Sequence, residues 1–197
     1  MFHKLAIRDL SFIFILLLAW QWLSPWLKGD SLMADFIGVL LGGLTALSFH
    51  LIHEWGHIAG GFIGGSDMNA SVKRNAISLF TYQASNNNRS QFLLMSLGGF
   101  IATAMLVWFS YSQLADDQSA SRIVRGYSLV QVFLALVLEL PLVIWAIVAK
   151  ELPPLDGEPD WQQVKDKAKS IFSRSVSYTH LRAHETRGNL VCRLLLE

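Results

Sequence analysis

Residues 34–63 read ADFIGVLLGGLTALSFHLIHEWGHIAGGFI. As a helix this run is long enough to cross a hydrocarbon core of ~30 Å. Near its end it carries His53-Glu54-Trp55-Gly56-His57. Residues four apart lie on one helical face, so His53 and His57 can offer two imidazoles to one ion while Glu54 stands beside them. Chance is the competing explanation, since buried histidines often only satisfy local hydrogen bonds. Against it, a charged residue at the centre of a membrane helix costs ~2.5–3.5 kcal/mol. Two histidines and a glutamate placed together there point to a metal.

The chemistry of such a site follows from the residue types. Zinc takes neutral imidazole nitrogen, and a catalytic zinc site keeps a position for a water whose pKa falls toward ~7. Glu54 is then the candidate catalytic group, accepting the water's proton and passing it to a leaving amine.

Working outward, apolar runs recur at about residues 10–27, 92–111 and 123–149. With 52% hydrophobic residues and a mean hydropathy of +0.38, they predict an all-α membrane protein. It has four transmembrane helices in a lipid bilayer, expected to be a bacterial inner membrane. The first run contains Trp20, Trp22 and Trp26, and no small-residue cleavage site follows, so an uncleaved span is expected rather than a signal peptide. Lys and Arg number 16 against 15 Asp and Glu, a formal charge of +1. That leaves no basic excess for nucleic acid. Lys4 and Arg8 precede the first span, Lys73, Arg74 and Arg89 lie between the second and third, and Lys150, Lys165, Lys167 and Lys169 follow the fourth. By the positive-inside rule both termini are expected in the cytoplasm, with Arg122 and Arg125 as the exceptions to the pattern.

Between the second and third spans, Ala70–Tyr82 has strand-like composition, followed by a loop at Ser85-Asn86-Asn87-Asn88. The predicted hairpin either offers an edge to an unwound substrate or simply connects two spans. Gly38, Gly42 and Gly43 are expected to let a neighbouring helix approach closely, as scaffold. Gly60, Gly61, Gly64 and Gly65 are expected to loosen the helix end, and Pro141 to kink the fourth span.

From Val176 the chain reads VSYTHLRAHETRGNLVCRLLLE. This resembles translation of a sequencing adapter, so 176–197 is expected not to be native, the gene being cut off near Ser175. His180, His184, Glu185 and Cys192 are set aside with it, which leaves no cysteine for a disulfide or thiolate site. The expected organisation is a membrane domain over 1–158 and a polar tail over 159–175.

A zinc site needs a third ligand, and two acids qualify. Asp156, in Leu152-Pro153-Pro154-Leu155-Asp156-Gly157, follows the fourth span on the side where the second helix ends. Glu139 is a lone acid roughly 15 Å inside the end of the fourth span, a depth that suits the histidines at ~9–15 Å. His50, one turn before His53, is either a packing residue or a partner to the site.

Taken together, His53-Glu54-Trp55-Gly56-His57 in a membrane helix, a glycine-rich third span and Leu155-Asp156-Gly157 resemble the site-2 protease family of intramembrane zinc metalloproteases. The similarity extends over about Leu47–Gly157. It implies His53, His57 and Asp156 as zinc ligands and Glu54 as general base. The implied activity is endopeptidase cleavage in or near the transmembrane segments of membrane-embedded protein substrates. The chain departs from the family pattern at Val148 and Glu151, and it places Thr103 where the family carries asparagine. A catalytically inactive scaffold that binds zinc or partner helices is the alternative, and a proton-relay transporter is a weaker one, given four spans without an internal repeat.

Overall fold

The computed structural model describes residues 2–27, 31–71, 78–153 and 169. Met1–Pro153 forms one compact unit, and its described residues are mostly helical. Helix α1 covers Phe2–Leu23, and a 3-10 turn over Ser24–Leu27 accommodates Pro25, whose ring cannot continue an α-helix. Helix α2 covers Leu32–Ile63, α3 Arg89–Ser112, α4 Ser119–Leu134 and α5 Leu140–Val148. A π-helical turn over Ala135–Glu139 joins the last two into one apolar rod. The segments 2–27, 32–63, 89–112 and 119–148 are each long and apolar enough to cross a membrane.

Local chemistry sets the ends of these helices. The Ser31 hydroxyl accepts the Ala34 N–H at 3.1 Å and caps α2. At the other end the chain leaves the helix at Gly64 and turns through Gly65, whose φ of +66° suits a residue without Cβ. Gly60 and Gly61 do not loosen this end as expected. They stay within the helix, and their lack of a side chain serves packing instead: the space one would need is taken by the Leu94 carbonyl and by the Met68 side chain. Asn88 and Gln91 form a reciprocal capping box at the start of α3. The asparagine loop is tied down as well: Asn87 Nδ2 donates to the carbonyls of Asp67 (2.9 Å) and Gln83 (2.7 Å).

Strands β1 (Met68–Ala70) and β2 (Phe80–Tyr82) pair antiparallel, with Met68 opposite Tyr82 and Ala70 opposite Phe80. The Ser71 N–H donates to the Leu79 carbonyl at 2.9 Å, extending the ladder. The predicted hairpin is therefore present. Residues 72–77 of the strand-like stretch lie outside the described residues.

Helix α2 is the centre of the unit. Of its most apolar window 44% is buried, against 11% in α1, 33% in α3 and 17% in the fourth segment. Gly38 and Gly42 receive the start of α4: a Cβ on Gly42 would meet the Ala120 carbonyl oxygen at 2.9 Å, whereas one on Gly43 would meet open space. Nearer the histidines, Gly56 faces Gly98 and Ala102, so the α2 and α3 backbones nearly touch. Leu16, Leu27, Leu41 and Ala120 make one core cluster, and Phe49, Leu106 and Val124 another. Helix α1 is fastened by two indoles: Trp20 Nε1 donates to Thr45 Oγ1 at 2.8 Å, and Trp55 Nε1 to Asp9 Oδ2 at 2.9 Å. Its other faces expose Leu10, Phe14, Leu17 and Trp22. Apolar exposure on this scale suits lipid rather than water.

Arg125 is held inside the fold, which bears on the charge pattern of the sequence. Its guanidinium donates to the carbonyls of Ser110 (2.9 Å) and Leu114 (2.7 Å), pairs with Asp116 and lies 5.5 Å from the centre of the Tyr111 ring. It caps the C-terminus of α3, where positive charge is favoured by the helix dipole.

Candidate metal centre

His53 and His57 project from one face of α2 and are 5% and 7% exposed. Their Nδ1 atoms turn toward α3. His57 Nδ1 lies 3.1 Å from the Met95 carbonyl oxygen. His53 Nδ1 lies 3.2 Å from the Gly99 carbonyl oxygen and 2.8 Å from Thr103 Oγ1. Carbonyl oxygens only accept, so these contacts put the imidazole proton on Nδ1 and leave Nε2 as a lone pair. The two Nε2 atoms face each other at 3.2 Å.

The same space receives Glu139. Its Oε1 is 3.0 Å from His53 Nε2 and its Oε2 is 3.4 Å from His57 Nε2. Oε2 is buried and has no hydrogen-bond partner among the described residues. Two nitrogen lone pairs and a carboxylate, gathered this closely, repel one another unless positive charge lies between them. Protonated imidazole would supply it, and so would a metal ion. The spacing fits the ion: with bonds of ~2.0–2.1 Å, ligand atoms on a zinc tetrahedron sit roughly 3.3 Å apart. The three groups lie within 4.8 Å of one another and provide nitrogen and oxygen donors that zinc accepts.

Backbone geometry puts each group in place. Met95, Gly99 and Thr103 are spaced by four, so they stack along one face of α3 opposite the histidines. Gly99 has a steric role, since any Cβ there would overlap the His57 ring. Glu139 is the last residue of the π turn, just ahead of Pro141. Pro141 has no N–H for the usual bond to the fourth residue before it, and the wider turn absorbs that loss where the carboxylate must point.

Glu54 is 8% exposed and is already engaged. Its Oε2 accepts from Ser78 Oγ at 2.8 Å and from the Leu79 N–H at 3.0 Å. Phe80 follows, with its ring centre 6.1 Å from that of His57. The segment entering β2 thus covers both halves of the His-Glu motif.

Of the residues expected from sequence, His53, His57 and Glu54 come together, and Glu139 is the acid that joins the histidines among the described residues. Asp156 lies outside the described residues, as do His180, His184 and Cys192. His50 is half-buried and is not one of the three converging groups. Sequence reasoning did not anticipate Met95, Ser78, Leu79 or Asp9, nor a contact from Thr103. The readable signal was the four-residue spacing of Met95, Gly99 and Thr103 in the third span. No protein-family model, curated protein or solved structure matches this chain.

Proposed function

We propose that the chain is an intramembrane zinc metalloendopeptidase of the site-2 protease kind, cleaving peptide bonds in or near the transmembrane segments of other proteins. One observation carries this reading: both imidazoles are fixed through Nδ1, so that their Nε2 atoms converge with the Glu139 carboxylate. His53, His57 and Glu139 would hold the ion, with Asp156 as the competing third ligand. Zinc, when bound, would supply a Lewis acid that lowers the pKa of water and polarises the scissile carbonyl.

The chain's own groups account for the rest. Glu54 removes a proton from the attacking water and returns it to the departing amide nitrogen. Met95, Gly99 and Thr103 keep the imidazoles in one tautomer and one orientation. Substrate must unwind before attack, because a helix shields its own carbonyls, and the edge of the β1–β2 pair, unpaired among the described residues, suits an extended segment. Both termini would face the cytoplasm, on the charge pattern set out above.

A second reading has specific support. The two hydrogen bonds already on Glu54 suit a scaffold that binds zinc without cleaving. The full chain in lipid nanodiscs, mixed with a fluorogenic single-span peptide of about 20 apolar residues, separates the two. Glu54→Gln should abolish zinc-dependent cleavage while zinc content stays at the wild-type level. Cleavage unaffected by E54Q, or none by the wild type, would overturn the protease reading. Zinc content decides the third ligand: Glu139→Ala should lose the ion and Asp156→Ala should keep it.

A further inference from the structure

Glu54 is held by a device outside its own helix. The Leu79 N–H and the Ser78 hydroxyl both reach a single oxygen, Oε2, at 3.0 and 2.8 Å; the one hydroxyl proton goes there rather than to the Phe80 carbonyl at 3.1 Å because a carboxylate is the stronger acceptor. They come from the short segment that enters β2, and this segment is well anchored. Leu79 is buried, and its carbonyl accepts the Ser71 N–H from the strand opposite. On β1, Met68 fills the space beside Gly61 of α2. On β2, the Tyr82 ring stands edge-on to Phe92 of α3, with centroids 6.0 Å apart. The hairpin is therefore wedged on both helices of the metal site, and its donors are pre-placed.

We propose that Ser78, together with the Leu79 N–H, is a positioning residue for Glu54, fixing Oε2 so that Oε1 is the oxygen that takes the proton. This rests on the assignment of Glu54 as general base. A carboxylate on a flexible glutamate stem can rotate about its last torsion and spread its two oxygens over many directions. Two converging donors on one oxygen remove that freedom, and the remaining oxygen keeps a single aim. Charge-assisted hydrogen bonds to a buried carboxylate are the strong kind, and held side chains of this sort keep reacting groups within productive geometry. The same contacts would also describe a latch that blocks Glu54 until the hairpin moves. Positioning is favoured because the segment is tied to both helices and because one of its two donors is backbone, which no rotamer change can withdraw. The two ideas predict opposite signs.

The test compares Ser78→Ala, Ser78→Thr and Ser78→Cys with the wild type, in nanodiscs with the same fluorogenic single-span peptide, reading kcat, KM and zinc content. Ser78→Ala should lower kcat about tenfold, the scale of one lost charge-assisted hydrogen bond. KM and zinc should not change. Ser78→Thr, which retains the hydroxyl, should restore kcat to within about twofold, and Ser78→Cys, a weaker donor that also serves if the alanine variant fails to fold, should fall between. An unchanged kcat, a raised kcat, or a loss that tracks zinc content would each overturn the proposal. A raised kcat would specifically identify a latch. Failure of the underlying protease reading is read separately, from wild-type cleavage that E54Q leaves intact.

Discussion

Helix α2 carries two seams of small residues, and they serve different ends. At the first, Gly38 and Gly42 admit the start of α4, and the neighbours are Ser119, Ala120 and Ile123. At the second, Gly56 and Gly60 admit α3 through Gly98 and the Leu94 carbonyl, and the crossing brings Met95, Gly99 and Thr103 against two histidines. Both seams use the same physics, the absence of Cβ atoms between two backbones. Among the described residues, the second alone brings together groups that could hold a metal. Close packing is common; the polar partners placed along it decide whether it makes a site.

The contrast can be broken most severely at Gly99. Gly99→Val places a side chain on the His57 ring and should weaken zinc binding roughly a hundredfold, the upper range for lost support of a ligand. Metal analysis of the purified variant checks this, and full zinc occupancy would remove Gly99 from the site. Thr103→Val deletes one of two partners of His53 Nδ1 and leaves the Gly99 carbonyl, so a weaker effect of about tenfold on zinc affinity is expected in competition with a chelator.

The first seam should respond in stability alone. Gly42→Val overfills the α2–α4 contact and should cost about 2 kcal/mol in unfolding measurements, with zinc per folded molecule unchanged. Gly43→Ala, pointing into open space, should be neutral or stabilising by up to ~1 kcal/mol. If zinc were lost in Gly42→Val, the two seams would be one mechanical unit.

The smallest effect concerns the hairpin that leans on the second seam. The Tyr82 hydroxyl is buried beside the Ser66 hydroxyl, and burial, partly offset by that neighbour, pushes its pKa from 10.0 to about 12. A pKa raised in the folded state favours the neutral phenol there. The associated stability is fully present below pH 10 and is lost as pH rises through 12. Tyr82→Phe should match the wild type within about 0.5 kcal/mol near neutrality and should lack that alkaline loss. Parallel decline of both proteins above pH 10 would refute this.

Much of the architecture was legible in the chain because hydropathy over 20-residue windows reports helices that suit lipid, and His53 and His57 share a face by helical arithmetic. The asparagine run was legible as a loop, while the role of Asn88 as the cap of α3 was not. Gly60 and Gly61 misled, since glycine near a helix end reads equally as a terminus or as a crossing point, and only a neighbour at Leu94 distinguishes them. Pro141 announced an interruption in the fourth span. Which way the interruption would turn Glu139 was not written there.

By itself, then, the sequence determined four apolar helices and the paired imidazoles, because both depend on periodicity within one segment. The tertiary structure decided the acid that meets those imidazoles, the carbonyls that set their tautomer and the hairpin donors on Glu54. These contacts join residues up to 86 positions apart. They depend on how helices cross and where a π turn rotates a side chain, and no local pattern encodes such angles.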